Sequence, residues 1–568
     1  MARSRKRKRS RSARVTSFPA VPPPDSRNPR LEAIAIVILV VPTESPLGTL
    51  ARVAARARLS TWRVESVSER QGEFELLPPR RGRIPSPGVA WDITYRLRDQ
   101  PEVVYAEPLF VYEVPDLYRR PVRRAAAGDG DLPATAGNFE WSLEKANVIA
   151  AWPLFGSRPP GAGVTVGHPD TGFTPHPELA DAGRLLIGQG FDFEDDDPDP
   201  LDDLDDGFLD NPGHGTGTGS VIVSNRGAAV GNNNPEFVSG VAPFASLIPI
   251  RTTESVALFS MRGLRRAIDH AVTKGAQVIS ISLGGPLPSP ALRNAIRRAQ
   301  EAGAIVLAAA GNQVGFVVFP AAFEETIAVA ASMITDQPWP GSSRGDAVDI
   351  TAPGASVWRA RVERSGESGF AFSVTRGSGT SFAVATTAGV AALWLSFHGW
   401  TALVQRYGAP NVARVFKALL QQTCRTPAGW DTDDFGPGIV DATALLQAPL
   451  PDEVPARKMR DPRRAAVATD VNGLEAIVHL VPDAPRTGLE QAVAEMLHVS
   501  DRELPRAMQE VGDELTFQLV MQPRLRVQLE TRAKQPAGRR RRARMTGSPL
   551  NRATTSARLA ARLRGSRR

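Results

Sequence analysis

Three short segments of the sequence carry side chains that together could perform acyl transfer. Asp170 is followed by Thr and Gly, His214 stands between glycines, and Ser381 ends a Gly-Thr-Ser stretch before an Ala-rich helical pattern. A serine hydroxyl is a weak nucleophile at neutral pH and needs a base within hydrogen-bond reach, which histidine can supply. The imidazole in turn needs a carboxylate that fixes its tautomer and stabilises its charged form. These residue types nominate a nucleophilic triad.

Each segment also has a plainer interpretation when it is taken alone. Asp-Thr-Gly occurs in aspartic proteases, which need two copies, and this sequence has one. A histidine between glycines is typical of a loop, and a serine before a helix is typical of an N-cap. The catalytic interpretation depends on the three segments occurring together in the chain order Asp, His, Ser. A serine at a helix N-terminus also has its amide at the positive end of the helix dipole, where an oxyanion could bind.

The elements that must position these side chains alternate between short apolar runs and helical patterns. The runs lie at 164–167, 246–250, 276–282, 304–310 and 326–331, and the helical patterns at 264–274 and 291–302. Short apolar runs between helices are typical of a parallel sheet that is buried on both faces. We therefore predict an α/β fold for residues 138–450, with a doubly wound, mostly parallel sheet and helices on both faces.

Residues 138–445 resemble the catalytic domain of the subtilisin-like (subtilase) family of serine peptidases. The motifs that carry the resemblance are Asp-Thr-Gly at 170–172, His-Gly-Thr at 214–216, Ser-Ile-Ser-Leu-Gly-Gly at 280–285, Ala-Ala-Gly-Asn at 309–312, Gly-Thr-Ser-Phe-Ala at 379–383 and Phe-Gly-Pro-Gly-Ile-Val-Asp-Ala at 435–442. The resemblance implies a serine endopeptidase with Asp170, His214 and Ser381 as its triad and Asn312 as an oxyanion donor. The substrate-binding residues that it implies are Ser282, Leu283, Gly284, Ala310 and Gly311.

Two positions depart from the pattern of the family. The family usually has an aliphatic residue just before the Asp, and here His168 and Pro169 precede it. The family often has a second His after His-Gly-Thr, and here Gly217 takes that place. Neither change removes a catalytic group. We expect a structural role for His168 because it is close to the acid in the chain, and a misplaced general base is the alternative.

The remaining chain divides by composition into tails, linkers and small domains. We predict a disordered basic and Pro-rich tail at 1–30, a small α/β domain at 31–115, linkers at 116–137 and 451–472, a small α/β domain at 473–531 and a disordered Arg-rich tail at 532–568. Residues 31–115 resemble the inhibitory pro-domain of the family, with strands predicted at 33–41, 66–77 and 103–114. The tetrapeptide Leu-Glu-Ala-Ile occurs at 31–34 and again at 474–477. A repeat and a chance match are both open interpretations of it.

The net charge of +8 describes the two ends of the chain rather than its folded body. Residues 1–14 hold eight Lys and Arg, residues 538–568 hold eleven Arg, and neither segment has an acid. Without these nineteen charges the formal net charge is −11. Basic tails can contact nucleic acid or an anionic surface, or merely solubilise the chain. An alternative function therefore stays open, in which the chain is a non-catalytic binding protein with a subtilase fold that is recruited by its basic tails.

The run at 192–210 carries eleven acids in nineteen positions. Oxygen ligands at this density suit Ca²⁺, and a solvated acidic loop is the alternative. We expect no required cofactor. A peptide or protein is the expected substrate, and the nearness of the acidic run to His214 suggests a preference for basic peptides.

Three features of the sequence bear on the compartment. The lone Cys424 excludes an intramolecular disulfide. No apolar stretch is long enough to predict a transmembrane helix. The apolar run at 33–41 is interpreted as a strand rather than as the core of a secretion signal. This interpretation favours a cytoplasmic protein, with secretion as the alternative.

Overall fold

The computed structural model of the chain describes residues 31–79, 84, 86–112, 138–180, 184–204, 211–227, 236–258, 260–366, 369–456, 473–481, 484–535 and 554–564. The predicted N-terminal tail at 1–30 and the linker at 116–137 lie outside these residues.

The N-terminal domain, residues 31–112, is a four-stranded antiparallel sheet with two helices. Its elements are β1 (Leu31–Val40), α1 (Pro46–Arg56), β2 (Arg63–Ser68), β3 (Glu73–Leu77), α2 (Pro87–Arg98) and β4 (Val103–Tyr112). The strand order is β2-β3-β1-β4, so the apolar run at 33–41 forms a central strand. The single strand predicted at 66–77 is wrong. A short 3₁₀ turn ends at Gly72, whose left-handed φ of 76° favours glycine, and it separates β2 from β3.

The α/β domain, residues 138–450, contains most of the chain. Its strands are β5 (Thr165–Asp170), β6 (Phe191–Asp192), β7 (Ser246–Arg251), β8 (Val278–Ile281), β9 (Ile305–Ala309), β10 (Ile327–Ser332), β11 (Ile350–Pro353), β12 (Val357–Ser365) and β13 (Gly369–Gly377). Its helices are α3 (Trp141–Lys145), α4 (Val148–Ala151), α5 (His214–Val223), α6 (Arg262–Thr273), α7 (Pro290–Glu301), α8 (Thr380–His398), α9 (Trp400–Tyr407), α10 (Val412–Thr423), α11 (Thr432–Phe435) and α12 (Ala442–Gln447).

Seven of these strands form one parallel sheet in the order β11-β10-β9-β8-β5-β7-β6. One apolar core, to which α8 and α10 contribute, covers one face, and a second core with α6 and α7 covers the other. The doubly wound fold predicted from the sequence is confirmed. The strand order changes direction at β5, and ligands of such sheets bind outside the carboxyl ends of the strands at this point.

Helix α8 is the central helix of the α/β domain. Within the described part of the chain it is the one helix that is long and apolar enough to cross a membrane, and 89% of its apolar window is buried inside the protein. The expectation that no stretch is long enough is therefore wrong for this helix by length and composition. The helix contacts β8, β9, β10 and β11, so its apolar character is explained by the core that it fills.

The C-terminal region is helical, so the small α/β domain predicted at 473–531 is wrong. Its helices are α13 (Gly473–Leu480), α14 (Arg486–Met496), α15 (Leu504–Met521), α16 (Pro523–Ala533) and α17 (Ala557–Leu563). The tetrapeptide Leu-Glu-Ala-Ile lies in β1 at its first occurrence and in α13 at its second, so it does not mark a structural repeat. Strand β1 pairs with β3 and β4, whereas α13 packs on α15.

The prediction of a disordered tail at 532–568 is wrong for residues 554–564, which include α17. Ser556 caps this helix, and its hydroxyl also donates to Glu514 at 2.6 Å. Leu559 is fully buried, and Arg558 pairs with Asp99 of the N-terminal domain at 2.5 Å. Arg558 and Arg562 of the predicted tail are therefore paired within the chain, Arg562 with Glu510.

The N-terminal domain and the C-terminal helices share one apolar core. At its centre the ring of Phe517 stacks on Phe110 with centroids 4.5 Å apart and meets Trp91 edge-on at 6.1 Å. The Tyr95 hydroxyl donates to Glu514 at 2.9 Å inside the same core. Two segments 360 residues apart in the sequence therefore fold as one unit.

Candidate active site

Asp170 is the last residue of β5 and is fully buried. Its Oδ1 accepts hydrogen bonds from His214 Nδ1 at 2.6 Å and from the Thr171 amide at 2.8 Å. Burial alone would raise the pKa of Asp170, but the charge of His214 and its hydrogen bond together lower that pKa below its ordinary value. The carboxylate is therefore held ionised against one nitrogen of the imidazole.

Helix α5 begins at His214 because the preceding residue reverses the chain. Gly213 has a left-handed φ of 71°, and a Cβ there would clash with Val362. A Cβ at Gly215 would clash with the carbonyl of Gly172. The absence of a side chain at Gly215 allows the start of the helix to lie against the end of β5, and this contact brings the imidazole to the carboxylate.

Ser381 lies in the first turn of α8 and is 4% exposed. Helices α5 and α8 pack together, and the ring of Phe382 lies 6.5 Å from the ring of His214. The hydrogen bonds of the described residues do not include one between His214 and Ser381. Such bonds are often long in enzymes without substrate and shorten when the complex forms. The aligned peptide dipoles of the helix give this N-terminal end of α8 a positive potential.

Asn312 follows β9 and its side chain is fixed by α8. Its Oδ1 accepts from both the amide and the hydroxyl of Thr380, each at 2.9 Å. Because both groups of Thr380 donate to this atom, it must be the oxygen of the Asn312 amide rather than its nitrogen. The nitrogen, Nδ2, is then the donor on the other side of the side chain. A Cβ built on Gly379 would lie 3.4 Å from Nδ2, so this nitrogen faces the residues just before Ser381.

The sequence profile of the Subtilase family matches residues 161–442. Thermitase of Thermoactinomyces vulgaris is 31% identical over 276 residues, which are 48% of this chain and 88% of thermitase. Subtilisin E of Bacillus subtilis is 34% identical over 200 residues, 34% of this chain and 49% of that protein. This chain belongs to the subtilase family. It is a serine endopeptidase, and the alternative of a non-catalytic binding protein finds no support in these comparisons.

The fold of this subtilase is also similar to a solved structure. The crystal structure of fervidolysin from Fervidobacterium pennivorans, a keratinolytic enzyme related to subtilisin, is 20% identical with a TM-score of 0.53. The alignment covers 74% of this chain and 62% of fervidolysin.

The predicted substrate-binding residues of this subtilase lie at the carboxyl ends of β8 and β9. Ser282 donates its hydroxyl to the carbonyl of Ser381 at 3.3 Å, and the Gly311 amide donates to the Thr380 hydroxyl at 3.2 Å. Ala310 accepts from the Val318 amide, and Leu283 is buried in the core of α6 and α7. The amide and carbonyl of Gly284 pair with the Val256 carbonyl and the Leu258 amide, so in this state Gly284 does not offer them to a peptide.

One element near Ser381 was not predicted from the sequence. The antiparallel hairpin of β12 and β13 ends four residues before Ser381 and packs on α5, where the Ala360 amide donates to Ser220 Oγ at 2.9 Å. A Cβ at Gly217 would be in tight contact with this hairpin, 3.2 Å from the Arg359 side chain and 3.3 Å from the Ala360 carbonyl. The alternation of apolar and polar residues in β12 is the signal that could have predicted it.

The acidic loop is organised around a buried arginine. Arg251, the last residue of β7, is 3% exposed at its side chain and pairs with Asp192 at 2.6 Å, Asp195 at 2.9 Å, Asp203 at 3.0 Å and Glu254 at 3.4 Å. Burial and the neighbouring Glu254 raise the pKa of Glu194 to about 7.

Subtilases typically bind Ca²⁺, and the acidic loop is the part of this chain with the highest density of oxygen ligands. Its converging carboxylates already have the guanidinium of Arg251 as their shared counter-ion. Within the described residues no group of three or more His, Cys, Asp or Glu side chains is arranged to hold a metal ion. The described part of the loop does not fit Ca²⁺, and residues 205–210 lie outside it.

Proposed function

We propose that Asp170, His214 and Ser381 perform peptide-bond hydrolysis. The observation that carries the proposal is the 2.6 Å hydrogen bond of His214 Nδ1 to the buried Asp170, beside the helix end that bears Ser381. Ser381 Oγ would attack the scissile carbonyl carbon while His214 Nε2 takes its proton. His214 would return this proton to the leaving amine as the C–N bond breaks. Water would then attack the acyl-enzyme, giving a proton to His214, and Ser381 would leave with that proton.

We assign the stabilisation of the oxyanion to Asn312 and to the amide of Ser381. Donors that are fixed before the reaction stabilise charge that develops in the transition state without reorganising. The two hydrogen bonds from Thr380 hold the Asn312 amide in place, which supports this role.

Replacement of Ser381 by Ala tests the nucleophile. The expected result is a loss of peptidase activity on the order of 10⁶ in kcat, as for the subtilisin triad serine. Ser378→Ala is the matched control, because Ser378 lies three residues earlier and its exposed hydroxyl accepts from the Ser356 amide. Activity of Ser381→Ala within about tenfold of wild type, or an equal loss in the control, would contradict the proposal.

We further propose that residues 31–112 act as an intramolecular pro-domain. Glu75 accepts from Arg262 at 2.8 Å and pairs with the buried Arg265, both on α6. Glu107 of β4 accepts from the Ser289 hydroxyl at 2.8 Å and from the Ala291 amide at 2.9 Å, at the start of α7. These contacts support docking of the N-terminal sheet on α6 and α7, next to the segments after β8 that would bind a peptide.

The C-terminal helices provide a second attachment for this pro-domain, besides its chain connection to the α/β domain. They cover the surface of the N-terminal domain around Trp91 and Tyr95 with an apolar core, and Arg98 adds an ion pair to Asp513 at 2.8 Å. We infer that the N-terminal domain stays bound after a cut in 113–137, because the C-terminal helices hold it independently of the chain connection.

Retention can be measured on the full chain carrying Ser381→Ala, which removes self-digestion. A recognition sequence for a site-specific protease is placed within 116–137, the protein is cut, and the fragments are separated by size exclusion. The N-terminal fragment should co-elute with the remainder, and Phe517→Ala should weaken this association. A fragment that elutes alone from the otherwise unchanged protein would overturn the inference.

A further inference from the structure

A second histidine lies on the side of the catalytic acid that faces away from His214. His168 Nε2 is 3.0 Å from the hydroxyl of Thr218 and 3.7 Å from Asp170 Oδ2. The same hydroxyl is 3.2 Å from Asp170 Oδ2. His168 is 1% exposed and Thr218 is fully buried. The two oxygens of Asp170 therefore face two different histidines, one directly and one mainly through Thr218.

The elements of the fold dictate this arrangement. His168 and Asp170 are two residues apart on β5, so their side chains leave the same face of the sheet. Thr218 is one helical turn beyond His214 on α5, which places it on the same side of the helix. Gly219 lies next to this pair, and a Cβ there would lie at an ordinary contact distance of 3.8 Å from His168 Cε1 and more tightly, at 3.1 Å, against Leu247.

The carboxylate selects the orientation of the protons in this chain. Burial lowers the pKa of His168 and opposes a charge on it, while Asp170 and His214 are the titratable groups that face it. A neutral imidazole with its proton on Nε2 donates to Thr218 Oγ1 and points its N–H dipole towards Asp170. The Thr218 hydroxyl then keeps its own proton, which it can donate to Oδ2 at 3.2 Å or share with the His214 carbonyl at 3.1 Å, one turn back in the helix. The opposite tautomer would place a lone pair against the carboxylate and withdraw the hydroxyl proton from it.

We propose that His168 is a positioning residue for the catalytic acid. Acting through Thr218, it supplies a hydrogen bond to Asp170 Oδ2 that holds the carboxylate with Oδ1 towards His214 Nδ1. This inference rests on the proposed roles of the triad and deepens them. It makes the structural role expected of His168 from the sequence specific, and it differs from the alternative of a misplaced general base.

The test is a double-mutant cycle with His168→Leu and Thr218→Val, each active site being counted with a fluorophosphonate. Each single variant should lower kcat about tenfold with little change in KM, since one hydrogen bond to a charged group is lost. The loss in kcat from either variant should not exceed the loss caused by removing the catalytic acid itself, which is roughly 3 × 10⁴ in subtilisin. The double variant should lose about tenfold rather than a hundredfold, because both changes interrupt the same chain.

Two further variants separate positioning from folding. Thr218→Ser keeps the hydroxyl and should retain kcat within about threefold of wild type. Ser220→Ala removes another buried hydroxyl of α5 and should cost stability while kcat per titrated site is unchanged. An unchanged kcat in Thr218→Val, or losses that multiply in the double variant, would overturn the positioning role. If Ser381→Ala remained active, the proposed triad itself would be wrong, so the two failures are distinguishable.

Discussion

Arg251 is expected to stabilise the acidic loop in the way that a bound cation would, by pairing with its carboxylates. Arg251→Met keeps much of the apolar stem and removes the charge. Asp192, 2% exposed at its side chain, would then be left without its ion-pair partner at 2.6 Å. Breaking a buried pair in this way costs about 3–5 kcal/mol. Asp195 and Asp203 are 64% and 51% exposed, so water replaces much of what they lose. At about 2 °C per kcal/mol for a domain of this size, Tm should fall by about 6–10 °C.

Calorimetry of these variants in the Ser381→Ala background avoids self-digestion. The matched control is Arg266→Ala, since Arg266 pairs at 3.1 Å with Asp196, which is 69% exposed. It should change the free energy of unfolding by less than about 1 kcal/mol. Millimolar Ca²⁺ should raise the Tm of Arg251→Met, whose carboxylates lack a counter-ion, and leave the parent protein unchanged. A parent protein whose Tm drops by several degrees in EDTA would refute the argument, and so would an Arg251→Met variant as stable as the control.

Three other predictions follow from the site and the domain contacts. Asn312→Ala should lower kcat by roughly 10²–10³ with little change in KM, and a change confined to KM would count against the oxyanion role. Self-cleavage should occur between about Pro115 and Asn138 in the wild type and be missing in Ser381→Ala, which N-terminal sequencing of both proteins decides; cleavage in both would point to another protease. Burial raises the pKa of Glu107 to about 7 from 4.5. The folded protein therefore binds the Glu107 proton more tightly than the unfolded chain does. The stability that protonation of Glu107 contributes is fully present below about pH 4.5 and is lost as the pH rises to about 7. In urea unfolding between these pH values, the free energy of unfolding should change less with pH in Glu107→Gln than in the wild type. An equal change in both proteins would exclude Glu107 as the source of the pH dependence.

The catalytic core could be predicted because its local sequence and its long-range order agree. The apolar runs are strands buried on both faces, which need no partner-specific pattern to be identified. The glycines around His214 mark close approaches, and the structure shows them at Gly213, beside the Val362 side chain, and at Gly215, beside the Gly172 carbonyl. The residue types of the proposed triad and their order predicted that three distant segments meet, and the structure joins two of them through the hydrogen bond of His214 to Asp170.

The features that were missed depend on contacts between distant parts of the chain. The composition of residues 192–210 revealed eleven acids, but not that Arg251, forty-one residues later, would lie among them. The tetrapeptide Leu-Glu-Ala-Ile is compatible with a strand and a helix, and its neighbours in the fold decide between them. The core that the N-terminal domain shares with α15 and α17 joins segments more than 400 residues apart, which no local pattern indicates.

The most direct test of the account is to label the active enzyme with a fluorophosphonate and map the modified residue by mass spectrometry. The probe reacts with an activated serine, so Ser381 should carry the label in the wild type after self-cleavage. The label should be lost in Ser381→Ala and strongly slowed in Asp170→Asn, where the orienting charge is removed. Label on another serine, or no label on a preparation that hydrolyses peptides, would contradict the assignment of Ser381 as the nucleophile.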